Sequence, residues 1–320
     1  MAQSVEQLIR NQQVAGSSPA SSSKKPIFDV SAKIGFFIKF DRGLAMIKNF
    51  QEFCNTPFDI VVLAGQSNAQ GGGLGETTAH YQKNENVYFL NDTKSFGLVV
   101  DPETDNVSLS ADCPSITYIE TAEDSTSAAN LSFRFAERYV QNNLQTGRKL
   151  LIIRAAVGGT GFTRGEWLLQ TGKLYYRMLS MVDEALQLNK ENKLVAFLWH
   201  QGEHDAFEKA TLPVSDIEEF YYANFKAILT DFRSRYELDN LPIVAAGFVD
   251  EWSALYKEQC QAVYSATKRV FEEIRHAGFV ETKGLKTNNQ TVGNGDNIHF
   301  SRDALYQLGD KYYQKFMENI

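Results

Sequence analysis

Four short apolar runs punctuate the chain. Phe58-Asp-Ile-Val-Val-Leu-Ala64 and Lys149-Leu-Leu-Ile-Ile-Arg-Ala-Ala156 are rich in β-branched residues. Lys193-Leu-Val-Ala-Phe-Leu-Trp199 and Leu241-Pro-Ile-Val-Ala-Ala-Gly-Phe-Val249 repeat the pattern. Runs of this length without polar alternation suit strands buried on both faces of a parallel sheet. Helical spacing fills the gaps. Leu131, Phe135, Val140 and Leu144 predict a helix ending near Gly147. Leu174, Met178, Met181, Val182 and Leu186 predict another. Ile217, Phe220, Tyr221, Ile228, Phe232 and Tyr236 share one face of a third, with Ser215 and Glu218 spaced as a capping box at its start. Ser301 reads as the N-cap of a last helix, with Asp303 in its first turn and Leu305, Leu308, Tyr312 and Phe316 along its apolar face. Strands alternating with helices predict an α/β fold, a three-layer α/β/α sandwich around a parallel central sheet. In such sheets functional groups gather beyond the carboxyl ends of the strands.

Residues 1–25 break the pattern. They are rich in Ser, Gln and Ala, too poor in apolar surface to offset the entropy of ordering. Ala2–Ala20 also resembles a translated tRNA gene, which implies a start at Met46. The expected division is an extension over 1–50 and one domain over 51–320. The whole chain's 43% hydrophobic and 22% charged residues are globular values. A net charge of −7 argues against a broad grip on nucleic acid or an anionic membrane. No apolar run reaches the roughly 18 residues of a membrane span, and the first residues lack a signal-type apolar core. Cys54, Cys113 and Cys260 form neither a disulfide framework nor a metal knuckle. A reducing compartment, the cytoplasm by default, is the expectation.

Four loops carry unusual chemistry. Gly65-Gln66-Ser67-Asn68 follows the first strand and presents a serine hydroxyl at the strand end, with backbone N–H groups able to face an oxyanion. Alone, it reads more readily as a Ser/Asn turn before a Gly-rich loop. Val157-Gly158-Gly159-Thr160-Gly161 follows the second strand. Its glycines allow close approach of backbone to a ligand, but also make a plain turn, and the spacing is not that of a dinucleotide loop. Trp199-His200-Gln201-Gly202-Glu203-His204-Asp205 packs two histidines, two acids and an amide after the third strand. His200 and His204 are four apart, yet the segment is not HExxH, so no metal is expected. Asp296-Asn297-Ile298-His299 places an acid where it can fix an imidazole tautomer, or simply an Asx turn before the Ser301 cap.

Taken together, these blocks resemble the SGNH/GDSL hydrolase superfamily, and within it the sialate O-acetylesterase and acetylxylan esterase branch. That group carries GQSN, GG, W-x-QGE-x-D and D-x-x-H blocks in this order. The resemblance covers roughly residues 57–318. It implies Ser67 as nucleophile, His299 as base and Asp296 as the acid that orients it, with Glu203 as the alternative acid. It implies an oxyanion hole from the N–H of Ser67, that of Gly159 or Gly158, and the amide of Gln201. Asp205 matches an acid that shapes its loop, and Gln66 and Asn68 are expected to touch substrate. Two departures stand out: the long stretch 72–130, with Asp92, Asp101, Asp105 and Asp112, and His204 where a serine is common.

The implied reaction is acetyl-ester hydrolysis on a glycan of sialic acid or xylan type, through a serine acyl-enzyme and without a cofactor. The implied partner is an acetylated carbohydrate. Trp167, Trp252 and Tyr118 are candidates for stacking on a sugar, or equally for the core. Two rivals remain: a lipid or small-ester esterase or thioesterase with the same groups, and a non-catalytic carbohydrate binder on the same fold.

Overall fold

Strand β1, Phe58–Gly65, is buried along its whole length and lies near the middle of the sheet. β6 (Lys149–Ala156) pairs with one edge of it and β7 (Lys193–His200) with the other, both parallel. β2 (Val87–Asp92) extends the sheet beyond β6, while β8 (Ile243–Ala246) and β9 (Ala277–Val280) extend it beyond β7. These six strands are all parallel. β5 (Thr117–Thr121) adds an antiparallel edge beside β2. A small separate ribbon pairs β3 (Leu98–Val100) with β4 (Val107–Leu109). The computed structural model describes residues 53–77, 80–92, 98–100, 107–109, 117–121, 129–207 and 212–320, with the backbone alone over 98–121. The expected extension over 1–50 and the positions of Asp101, Asp105 and Asp112 lie outside the described residues, as do the side chains of Asp92 and Tyr118.

Successive residues of β7 show the two faces of the sheet. Trp199 points into one helical layer, stacked with Phe225 of α4 (Val214–Tyr236) and edge-on to Trp167. α3 (Lys173–Gln187) and α6 (Lys257–Glu273) complete that layer. His200 points the other way, against Tyr312 of α8 (Arg302–Met317). There α8 packs on α2 (Ser132–Asn142) through Phe316 and Phe135. This is the three-layer α/β/α sandwich that the apolar runs predict.

Two local expectations differ. The fourth run, 241–249, is strand only over Ile243–Ala246. The Ser215–Glu218 capping box is not formed: Pro213 caps α4, so Ser215 already lies inside the helix and its hydroxyl bonds Asp216. The Ser301 cap is present, with its Oγ accepting the N–H of Ala304.

Candidate active site

β1, β6 and β7 end side by side, where the connections leave the central strand in opposite directions along the sheet. Their three following loops meet there. Gly65 makes the turn possible. Its φ is +134°, and a Cβ would lie 2.1 Å from the carbonyl oxygen of His200, inside atomic contact. The chain then passes Gln66, whose N–H bonds that same carbonyl at 2.9 Å. Ser67 opens the single turn α1 (Ser67–Gln70).

His299 arrives from the far end of the chain. Its Nε2 lies 2.9 Å from Ser67 Oγ, and its Nδ1 lies 2.9 and 3.0 Å from the two oxygens of Asp296. Asp296 is an acceptor, so Nδ1 carries the proton and the Nε2 lone pair faces the serine hydroxyl. Asp296 is itself pinned by the His299 N–H at 3.1 Å and the Asn288 amide at 2.9 Å. Burial pushes its carboxyl up. The hydrogen bond and charge of His299, with the Asn288 amide, outweigh that and hold it below the usual carboxylate range.

Glu203 lies elsewhere. It is fully buried, and its Oε1 takes the amide of Asn68 at 2.6 Å, with His200 Nε2 at 3.4 Å. Burial raises its pKa, but His200 and the Asn68 amide together leave it lowered. No hydrogen bond or ion pair joins it to His299 among the described residues.

Gly158 lies against Ser67. A Cβ there would be 3.5 Å from the Ser67 Cβ. Its N–H is committed to Gln70 Oε1 at 2.9 Å, so it is not free for an oxyanion. The N–H groups of Ser67 and Gly159 have no acceptor among the described residues.

The Gln201 amide differs from expectation. It is buried, with Nε2 near Asp205 Oδ2 (2.6 Å), Thr160 O (3.1 Å) and Gln66 Oε1 (3.2 Å). Three acceptors use both its N–H bonds, leaving none for an oxyanion. The opposite amide orientation would set oxygen against oxygen.

Gln66 and Asn68 are not substrate contacts either; both are 2% exposed. Gln66 Oε1 also takes the N–H groups of Gly202 and His204, at 3.3 and 3.1 Å. Asn68 spends its amide on Glu203 and Ile298 O and its carbonyl on Phe300 N. Asp205 ties the third loop to the second by accepting Thr163 N at 2.7 Å and Phe162 N at 3.2 Å. Gly161 leaves room for it, since a Cβ there would sit 2.8 Å from Asp205 Oδ2. The four blocks therefore form one polar lattice beneath a single hydroxyl–imidazole pair.

Trp167 and Trp252 are wholly buried, so neither can stack on a sugar. His204 is half-buried, and its burial lowers the imidazole pKa against the opposing pull of Asp205. Asn130, Gln70 and Asn288 escape sequence reasoning. Asn130 donates to Ala69 O and Gln70 O at 2.8 Å each and so braces α1. Its only signal is an Asn ahead of a helix, which is too common to single out.

A protein of Arabidopsis thaliana described as a probable carbohydrate esterase is 26% identical over 273 residues, covering 82% of this chain and 92% of that relative. The solved structure of NanS superposes with a TM-score of 0.61 at 16% identity, covering 82% of this chain and 98% of that one. A carbohydrate acetylesterase from Xanthomonas citri gives 0.53 at 12% identity, over 82% of this chain and 56% of that one. At such identities the superpositions establish the fold. The SASA pattern, carbohydrate esterase, sialic acid-specific acetylesterase, matches residues 57–318. The chain thus belongs to this family of carbohydrate acetylesterases.

Proposed function

We propose that the protein removes acetyl groups from a glycan through a covalent acyl-serine. The observation that carries this is the 2.9 Å approach of His299 Nε2 to Ser67 Oγ, with Asp296 on the far side of the ring. His299 takes the hydroxyl proton as Ser67 Oγ attacks the acetyl carbonyl. The oxyanion is received by the free N–H groups of Ser67 and Gly159. His299 then gives its proton to the departing sugar oxygen. Water, activated by the same imidazole, adds to the acetyl carbonyl and releases acetate with Ser67 restored. Asp296, not Glu203, is the acid of this relay, because it alone of the two touches the imidazole.

The glycan is the finer part of the reading. The family's description makes O-acetylated sialic acid the first substrate to try, with acetylated xylan as the comparison.

The test measures acetate release from both glycans and from 4-nitrophenyl acetate, for wild type and Ser67→Ala. A fall of about 10⁴-fold or more in the variant is expected. Equal release by both proteins overturns the nucleophile. Release from the aryl ester but neither glycan favours a small-ester esterase, and silence of folded wild type on all three favours a carbohydrate binder.

A further inference from the structure

We infer that Glu203 is a positioning residue: by anchoring the Asn68 amide, it sets the distance between the catalytic serine and histidine. The inference rests on the roles proposed above for Ser67, His299 and Asp296.

Asn68 follows the nucleophile directly, and its side chain offers two donors and an acceptor. One donor goes to Ile298 O at 3.2 Å, and the carbonyl takes Phe300 N at 3.1 Å. Ile298 and Phe300 flank His299. The residue after the nucleophile therefore grips the backbone on both sides of the base. The remaining donor goes to Glu203 Oε1 at 2.6 Å, the shortest of the three bonds and the one that ends on a carboxylate. Asn68 is 2% exposed and Glu203 is buried completely, so bulk water does not compete for this bond.

Glu203 is held firmly enough to serve as an anchor. It follows Gly202, whose φ of +134° and crowding against Phe248 (2.8 Å from a notional Cβ) fix the turn. Its neighbour His200 is in turn held by Tyr312, whose hydroxyl bonds Trp199 O at 2.8 Å. The anchor thus connects to the central sheet through β7 and to α8.

Removing Glu203 leaves a buried amide donor without a partner. The relief available to Asn68 is rotation, which breaks the grip on Ile298 and Phe300. A displacement near 1 Å at the reacting atoms costs roughly 10²-fold in rate. Because Asn68 is buried, ground-state binding of the glycan is left alone, so kcat falls while KM holds.

The experiment compares Glu203→Ala, Glu203→Gln, Asn68→Ala and the Glu203→Ala/Asn68→Ala pair. Each is measured for kcat, KM, the pH profile of kcat/KM and thermal melting, beside Ser67→Ala and Asp296→Asn. Expected for Glu203→Ala is a kcat loss on the order of 10²-fold with KM little changed. Glu203→Gln keeps an acceptor for Asn68 and should recover to within about tenfold of wild type, with the acid limb of the profile unmoved. The paired variant should lose no more than the worse single one.

Collapse of Glu203→Gln as deep as that of Glu203→Ala, with a shifted acid limb, would make Glu203 an acid partner and overturn the inference. Wild-type kcat in folded Glu203→Ala overturns it as well. If Glu203→Ala does not fold, Asn68→Ala still decides: wild-type kcat in that variant refutes the linkage. If both Glu203→Ala and its pair with Asn68→Ala fold, additive losses refute it too. Activity surviving in Ser67→Ala and Asp296→Asn would instead show that the underlying catalytic reading has failed.

Discussion

Asp296 carries three duties on one carboxylate: it fixes the His299 tautomer, closes the turn before α8 and accepts the Asn288 amide. Asp296→Asn offers Nδ1 an amide of nearly the same shape but removes the charge that stabilises an imidazolium. The variant should lose kcat on the order of 10⁴-fold while remaining folded. The same carboxylate links stability to pH. Its folded pKa is depressed, so its stabilisation is present above the unfolded value of about 4 and is lost as pH falls through the lower folded value. Thermal melts of Asp296→Asn from about pH 7 down to about pH 3 should show a flatter acid branch than wild type. At this scale the sequence named the hydroxyl, imidazole and carboxylate, because D-x-x-H spacing and strand-end serines are local signals. It misassigned Gln201, Gly158, Gln66 and Asn68. Apart from Asp205, four positions from Gln201, the partners that decide what these groups face lie 41 to 232 positions away, and spacing along the chain is silent about them.

Among the elements, α8 shows how helix capping and catalysis share a segment. Ser301 Oγ accepts Ala304 N at the helix start, two residues beyond His299. Ser301→Ala should cost about 1 kcal/mol, a drop of roughly 2–4 °C in Tm for a domain of this size. A smaller fall in kcat should accompany it as the His299 turn loosens, measured on the same preparation. Three of the four apolar runs became strands at nearly the expected bounds, since buried parallel strands need unbroken β-branched stretches. β9 was not legible: Ala277-Gly-Phe-Val is too short and carries a glycine. β2 has four apolar residues before Asn91 and Asp92 and looks like a loop without the β6 edge it pairs with. The failed cap at Ser215 has a different cause. Pro213 supplies a fixed φ ahead of Val214, and the helix starts there before the Ser/Glu pair can act.

Across the whole molecule, the polar lattice sits at one end of the sheet, and a second charged cluster closes the other. There Asp59 of β1 pairs with Arg148 at 2.7 Å and accepts the Tyr139 hydroxyl at 2.8 Å. The central strand is thus tied at both ends by polar side chains, while the side chains of its middle contribute only apolar packing. The serine and histidine, however, stand 232 positions apart and come from the first strand and the last helix's approach. Acetyl release is therefore a gauge of completed folding. A ribosome-bound chain lacking its final residues has a strand and Ser67 but no His299. On refolding from denaturant, far-UV circular dichroism should recover ahead of activity, because closing so large a loop is slow compared with forming helices. Simultaneous recovery would mean that the ends of the chain meet as early as its middle. A single protease cut freeing α8 should abolish turnover while most of the sheet still stands.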